Sequence, residues 1–189
     1  MAIVQLATST DVAASIGRAL TALETARVGA ILDKASELFR DRSGQRFAPG
    51  TSTVRLKVNA GRVYLPQHPV VAVTTVTDDD GTAVEYTLLD QWLTLERRSD
   101  QFVNVSYSHG GTVPELVRLT IADIARKVLT IDPSAATGMS QHSRTTGPFT
   151  EYAMYATWAI GGQTMLAPDD NAIADTFKVR VPNVIVSIP

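Results

Sequence analysis

The sequence contains no cysteine, and this absence narrows what the protein can be. Disulfide scaffolds, thiol catalysis and zinc sites with cysteine ligands are excluded, because each of them needs that side chain. The fold must therefore be held by packing and hydrogen bonds. A chain of 189 residues is long enough to bury a hydrophobic core without covalent cross-links.

An excess of charge of either sign is also missing. The 17 Lys and Arg residues oppose 19 Asp and Glu residues, which gives a formal net charge of -2. Such a balance offers no overall positive field to hold a nucleic acid or an anionic membrane. No apolar run reaches the ~20 residues needed to cross a bilayer, and no basic segment precedes the first apolar residues. We expect a soluble protein that is made without a signal peptide and does not bind membranes.

Residue sets that carry common enzyme chemistry are sparse. The histidines His68, His109 and His142 have no spacing typical of a metal site. Residues 78–81 read Asp-Asp-Asp-Gly but lack the later oxygen ligands of an EF-hand loop, so a solvated hairpin turn is expected there. The chain has neither a Gly-x-Ser-x-Gly elbow nor a glycine-rich phosphate loop. We expect no enzyme, no catalytic or metal-binding residues and no cofactor.

Two helices are predicted near the N-terminus. A Thr-Ser-Thr run at residues 8–10 can cap a short helix over about residues 11–16, which ends near Gly17 because glycine is unfavourable inside a helix. Thr21 and Glu24 then form a capping-box pattern, after which apolar residues recur at steps of three and four. This longer helix is expected to end near residues 43–44.

From residue 53 the pattern changes from helical to alternating, as in half-buried strands. Further short apolar runs, separated by turn residues, continue to residue 107. We expect a small antiparallel sheet arranged as a meander of hairpins. Pro114 then begins another amphipathic helix, which reaches Leu129 and is expected to pack its apolar stripe against the long first helix.

After residue 131 the composition shifts to Ser, Thr, Gly and Pro, which predicts a mobile loop or arm through residue 147. An aromatic stretch follows, and residues 177–188 form a β-rich strip without a helix to cover it. Unpaired strand edges are an aggregation hazard, so these strips should pair with the body or with another chain. We predict an α+β fold in which residues 1–131 form a body of amphipathic helices packed on a small antiparallel β-sheet insertion. Residues 132–189 form an extended C-terminal arm with β-rich strips.

Two groups of residues are candidates for binding a partner. The first is basic and lies near the end of the long helix, where arginines can meet phosphates or acidic side chains, although solvated helix ends also favour arginine. The second is aromatic and follows the polar arm; it is either the core of a small second unit or a set of anchors for a partner. The candidates are Arg40, Arg42, Arg46, Phe149, Tyr152, Tyr155 and Trp158.

Several segments together resemble one known family. Residues 11–21, the helix running to residues 38–40, and residues 44–47 are similar to the N-terminal half of head-to-tail connector (adaptor) proteins of tailed bacteriophages. Residues 65–70, Leu-Pro-Gln-His-Pro-Val, are similar to the family's Leu-Pro-x-x-Pro-Val strand. Residues 107–111, followed by a proline and a helix, resemble its Tyr-x-x-Gly turn into the last core helix.

The resemblance spans residues 8–129 in order and spacing, and residues 147–149 are weakly similar to the family's tail. It implies a structural protein of the virion neck, made in the host cytoplasm. Such proteins form a ring, commonly a dodecamer, under the portal protein. The implied partners are the portal, neighbouring copies of the chain and the next neck or tail component, and DNA passes through the channel without sequence-specific binding. The long strip after Trp158 departs from the family pattern.

Two alternatives remain open at this point. Within virion proteins, the chain is alternatively a head-closure or tail-completion protein. From a different class, it is a small metal-dependent hydrolase centred on His109 or on the aspartates of residues 78–80. An enzyme has no need for a ring with a central channel, so the native mass separates the two classes.

Overall fold

The computed structural model describes residues 4–96, 102–155 and 161–179. By its contacts the chain divides into two compact units, which we call the helical unit (Met1–Arg42 and Pro114–Thr176) and the β unit (Ser43–Val113 and Phe177–Pro189). The predicted α+β class is confirmed. The elements in chain order are α1 (Ser9–Ile16), α2 (Ala22–Ser43), β1 (Gly50–Lys57), β2 (Arg62–Tyr64), β3 (Val70–Asp78), β4 (Tyr86–Leu89), β5 (Trp92–Leu95), β6 (Phe102–His109), α3 (Glu115–Leu129), α4 (Pro133–Ala136), β7 (Gln141–Thr146), β8 (Phe149–Met154) and α5 (Pro168–Thr176).

Helix α1 ends where its sequence predicts, and it begins at Ser9, two residues before the predicted start. Thr8 is the N-cap: its hydroxyl accepts a hydrogen bond from the backbone N–H of Asp11, and the Asp11 carboxylate accepts one from the backbone N–H of Thr8. Gly17 closes the helix with a φ of 80°. Asp11 also pairs with Arg118 of α3. Burial alone would raise the pKa of Asp11, but the hydrogen bonds from Thr8 and Arg118 outweigh it and lower the pKa.

Helix α2 carries the predicted capping box. The backbone N–H of Thr21 donates to the Glu24 carboxylate at 2.7 Å, and the N–H of Glu24 donates to the Thr21 hydroxyl at 3.3 Å. The Arg18 guanidinium pairs with the same carboxylate and, together with the Thr21 hydrogen bonds, holds the pKa of Glu24 at about 2. The helix ends at Ser43, and Gly44 follows with a φ of 70°.

The apolar stripes of α2 and α3 are buried within the helical unit. Helix α3 nevertheless lies closest to α1 and not to α2, which the sequence pattern had favoured as its main partner. Val12 is the buried residue of α1, and Asp11 of the same helix pairs with Arg118 of α3. The buried apolar residues of α2 and α3 are Val28, Ile31, Leu32, Ala35, Phe39, Val117, Ile121, Ala122, Ile124, Ala125 and Val128.

The β unit contains two antiparallel three-stranded sheets, ordered β1-β6-β3 and β2-β5-β4. The predicted meander is therefore wrong, because among the described strands of these two sheets only β4 and β5 are neighbours both in sequence and in a sheet. Strand β6 alternates regularly and buries Val103, Val105, Tyr107 and His109. A strand with such a complete apolar face is most stable at the centre of a sheet, and local turn signals do not reveal this pairing.

The two sheets share one hydrophobic core. Its members come from both sheets and from the connections before and after β2. The two sheets therefore bury apolar side chains against each other. The buried residues are Val58, Val63, Leu65, Val76, Leu93, Leu95, Val103, Val105 and Tyr107.

The chain beyond α3 differs from the expected arm. Residues 132–147, predicted as a loop, contain α4 and strand β7, whose sequence Gln-His-Ser-Arg-Thr-Thr has no apolar periodicity to signal a strand. Helix α5 packs within the helical unit: Asp170 is 4% exposed and accepts hydrogen bonds from the Ala167 backbone at 3.0 Å and from Lys127 of α3 at 3.3 Å. The contacts therefore group α5 with the N-terminal helices, whereas the sequence pattern predicted a boundary after residue 131. Most of the predicted final strip, residues 180–188, lies outside the described residues.

Among the helices that the structure describes, none combines the length and apolar character needed to span a membrane.

Candidate partner-binding site

Strands β7 and β8 form a two-stranded hairpin, which is the candidate site. Arg144 lies opposite Glu151 and Thr146 lies opposite Phe149. A two-residue loop joins the strands, and its first residue, Gly147, has a φ of 63°, as type II′ turns require. No third strand among the described residues pairs with this hairpin.

The hairpin is exposed along its whole length. Every residue of β7 is exposed, and so is every residue of β8 except the half-buried Ala153. Its largest apolar side chains are open to solvent, with Phe149 77%, Met154 74% and Tyr152 58% exposed. An isolated two-stranded hairpin is at best marginally stable in water, and clustered exposed apolar side chains are typical of interaction surfaces. The hairpin therefore has the properties of a segment that a partner covers.

The predicted aromatic residues do not form one stripe. Side chains alternate along a strand, so Phe149 and Glu151 share one face, while Tyr152 and Met154 share the other. The Tyr152 hydroxyl donates to the side-chain oxygen of Gln141 at 2.6 Å across the hairpin. Both faces thus present an aromatic side chain.

Tyr155 and Trp158 complete the predicted aromatic group. Tyr155 directly follows β8, is half-buried, and extends the ladder by donating its backbone N–H to the carbonyl of Ser140 at 3.0 Å. Trp158 lies outside the described residues. Their role in binding a partner stays a prediction.

Of the predicted arginines, two make contacts within the helical unit. The Arg40 guanidinium donates to the carbonyl of Val4 and lies 3.7 Å from Glu37, and burial lowers the pKa of Arg40 although Glu37 opposes that shift. Arg42 pairs with Asp175 of α5. Arg46 belongs to the β unit, where its side chain is exposed and its backbone N–H donates to Gln67 at 2.8 Å.

A second feature of the helical unit is a cleft that the sequence pattern did not identify. Its volume is about 360 Å³. Lys34, Leu38 and Asp41 of α2 form one wall, and Met165 and Asn171 contribute to the other. Lys34, Leu38 and Asp41 are three or four residues apart, which places them on one side of α2. This spacing was the only indication of the cleft in the sequence.

Of the two histidines in the β unit, His109 of β6 is buried among sheet residues, whereas His68, between β2 and β3, is half-buried. Ser52 and His109 share a hydrogen bond of 2.8 Å between Oγ and Nε2, and burial and the nearby Arg46 lower the pKa of His109. This pair resembles a nucleophile with its base, yet His109 is buried beside Gly50, where an added Cβ would lie 3.2 Å from the imidazole. We interpret the pair as a packing contact that satisfies a buried ring nitrogen.

The acidic and histidine side chains that the structure describes were predicted to form no metal site. Among the described residues, no group of three His, Asp or Glu side chains is placed to hold a metal ion. Residues 78–81 form the predicted turn, in which the Gly81 N–H donates to the Asp78 carbonyl at 3.1 Å. Asp79 pairs with Arg55 at 2.7 Å on the exposed surface.

Comparisons with known proteins do not assign this chain to a family. No family model and no curated protein matches it. The resemblance to phage adaptor proteins therefore stays a prediction from the sequence.

Proposed function

We propose that the protein is a structural, noncatalytic head-to-tail adaptor of a phage neck. The observation that carries this proposal is the β7–β8 hairpin, which exposes aromatic and methionine side chains on both faces. A hairpin with these properties is stabilised by association, because burial of its apolar side chains and pairing of its open edges both require another surface. The segments that resemble the adaptor family, in their order along the chain, suggest the kind of assembly, which is a ring in the phage neck.

In this proposal the helical unit and its hairpin link neighbouring copies into a ring under the portal. An interface between two different surfaces of one chain repeats from copy to copy, and it closes into a ring when the rotation per copy allows. The ring extends the DNA channel, contacts the DNA without reading its sequence, and presents a surface to the next neck or tail component. The protein then resides in the virion neck.

The proposal is tested with purified portal particles that lack their neck. We expect the chain to bind these particles and to form a ring that is visible by negative stain. The double substitution Phe149→Ser/Tyr152→Ser should abolish ring formation while leaving the circular dichroism spectrum unchanged. Leu88→Ser/Leu89→Ser, which changes two exposed apolar residues of β4, is the matched control and should assemble normally.

Different outcomes favour the alternatives. A chain that joins particles only after another neck protein has bound would be a head-closure or tail-completion protein. Saturable hydrolysis that disappears in His109→Ala, together with a monomeric native mass, would replace the proposal with the hydrolase.

A further inference from the structure

We propose that the hairpin of one copy inserts into the cleft of the helical unit on a second copy. This inference deepens the proposed function, because it names the two surfaces that join neighbouring subunits. Both surfaces lie in the helical unit as the structure describes it.

The hairpin supplies a preformed projection. Gly147 and Pro148 make a tight loop, and proline restricts its backbone, so little conformational entropy remains to be lost on binding. Phe149 follows the loop and is 77% exposed, which shows that it does not fill the cleft of its own chain. An aromatic residue at the end of a rigid hairpin is a typical interface anchor.

The cleft supplies a matching cavity. Pockets of roughly 300–1,000 Å³ enclose small ligands, and the volume of about 360 Å³ here suits a single large side chain with its neighbours. Leu38 and Met165 give it apolar walls. An aromatic side chain placed between them would remove apolar surface of both copies from water.

The charges beside these apolar groups are complementary. On the hairpin, Arg144 and Glu151 are directly opposite each other and share the face of Phe149. In the cleft, Lys34 and Asp41 lie on α2 before and after Leu38. When Phe149 contacts Leu38, two ion pairs can form beside it. Arg144 then pairs with Asp41, and Glu151 pairs with Lys34. The two ion pairs fix the direction of the hairpin relative to α2, which an apolar contact alone does not.

Since the projection and the cleft are different surfaces of one chain, each copy can donate one and accept the other. Such a contact is heterologous and propagates around a ring.

The absence of native cysteine allows a direct cross-linking experiment. The variant Phe149→Cys/Leu38→Cys, oxidised alone and on portal particles, should give a ladder of covalent multimers that reductant removes. A mixture of the two single variants should give dimers only. The control Phe149→Cys/Leu23→Cys, whose second site is exposed at the start of α2, should give no ladder.

A charge-reversal experiment tests the direction of the contact without cysteine. Arg144→Asp and Asp41→Arg should each weaken self-association by roughly tenfold or more, because each brings like charges together. The double variant Arg144→Asp/Asp41→Arg should recover most of the parent's affinity, measured by sedimentation alone and on portal particles. Asp33→Arg in place of Asp41→Arg is the control and should not rescue Arg144→Asp.

The results separate the inference from the proposed function. A ring on the portal with neither cross-links nor charge rescue would overturn the hairpin-in-cleft contact and leave the adaptor proposal standing. Cross-linked multimers and charge rescue without any affinity for portal particles would support the contact and overturn the adaptor proposal. A chain that remains monomeric and uncross-linked in every condition would overturn both.

Discussion

At the scale of single residues, Gly110 is a position that has no room for a side chain. Its φ is 80°, and a Cβ there would lie 2.1 Å from the carbonyl oxygen of Ala48. We expect Gly110→Ala to destabilise the β unit by about 1–3 kcal/mol or more, since backbone strain and a clash with rigid backbone act together. Urea unfolding of Gly110→Ala and of the parent, followed by tryptophan fluorescence, would measure this loss of stability.

Gly29 is the matched control for that substitution. It lies inside α2, and a Cβ there would meet nothing within 4 Å. We expect Gly29→Ala to stabilise the helical unit by roughly 0.5–1 kcal/mol, because alanine loses less backbone entropy on forming a helix. An equal loss of stability in both variants would contradict the assignment of Gly110 to a special backbone conformation.

His68 is expected to make the β unit sensitive to acid. Both ring nitrogens are buried without a hydrogen-bond partner among the described residues. Burial lowers the pKa of His68 and nearby His109 lowers it further, while Asp90 opposes the shift. The unfolded chain therefore binds the proton more readily than the folded one. The stability of the β unit is therefore highest above a pH of about 6.5, the ordinary pKa of histidine, and it decreases as the pH falls below that value.

The variant His68→Phe should reduce this acid sensitivity. Phenylalanine keeps an aromatic ring in the site and removes two buried nitrogens that lack partners, so stability at neutral pH should not fall. Melting curves recorded across the acidic range would compare it with the parent. His142→Gln, which alters an exposed histidine of β7, is the control, and an unchanged slope in His68→Phe would assign the acid sensitivity to other groups.

At the scale of elements, the stability of the helical unit depends on the buried stripe of α2. Leu32 is 1% exposed, and we expect Leu32→Ala to cost about 2–5 kcal/mol, the usual range for truncating a buried leucine. Leu23 lies on the same helix but is 70% exposed, so Leu23→Ala should change stability by less than ~0.5 kcal/mol. Chemical unfolding followed by the helical circular dichroism signal measures both. Similar values for the two would mean that the stripe is not the core.

The helices and strands differ in how well the sequence predicts them. Helices α1 and α2 were predictable to within a residue or two because their caps are local: Thr8, Gly17, Thr21 and Glu24 act on their own helix. The arrangement of the strands was not, because β6 pairs with β1 and β3 across long stretches of chain. Strand β7 gave no signal, since none of its faces is buried.

At the scale of the whole molecule, the hairpin is expected to be separable from the fold. The backbone N–H of Tyr155 donates to the carbonyl of Ser140, so the two ends of the hairpin are adjacent. Replacing Gln141–Met154 by a short Gly-Ser linker should therefore leave the melting temperature nearly unchanged and abolish self-association. Sedimentation and circular dichroism of this variant test both parts.

A larger truncation is expected to behave differently. Removing every residue after 133 also removes α5, with the buried Asp170 that bonds Lys127 and the buried Ala174. The helical unit would lose part of its core and an ion pair, so this truncation should lower its melting temperature. A truncated chain as stable as the parent would show that α5 contributes nothing to the unit.

The sequence by itself determined the kinds of element up to the end of α3, the caps of α1 and α2 and the class of the fold, because helix periodicity, strand alternation and capping depend on residues a few positions apart. It also singled out Phe149 and Tyr152, but it left open whether they form the core of a small second unit or anchor a partner, and the structure shows that both are exposed. Only the tertiary structure decided which strands pair, that α5 returns to the helical unit, and that Lys34, Leu38 and Asp41 face a segment more than a hundred residues further along the chain. These features depend on contacts between distant segments, for which local patterns carry no information.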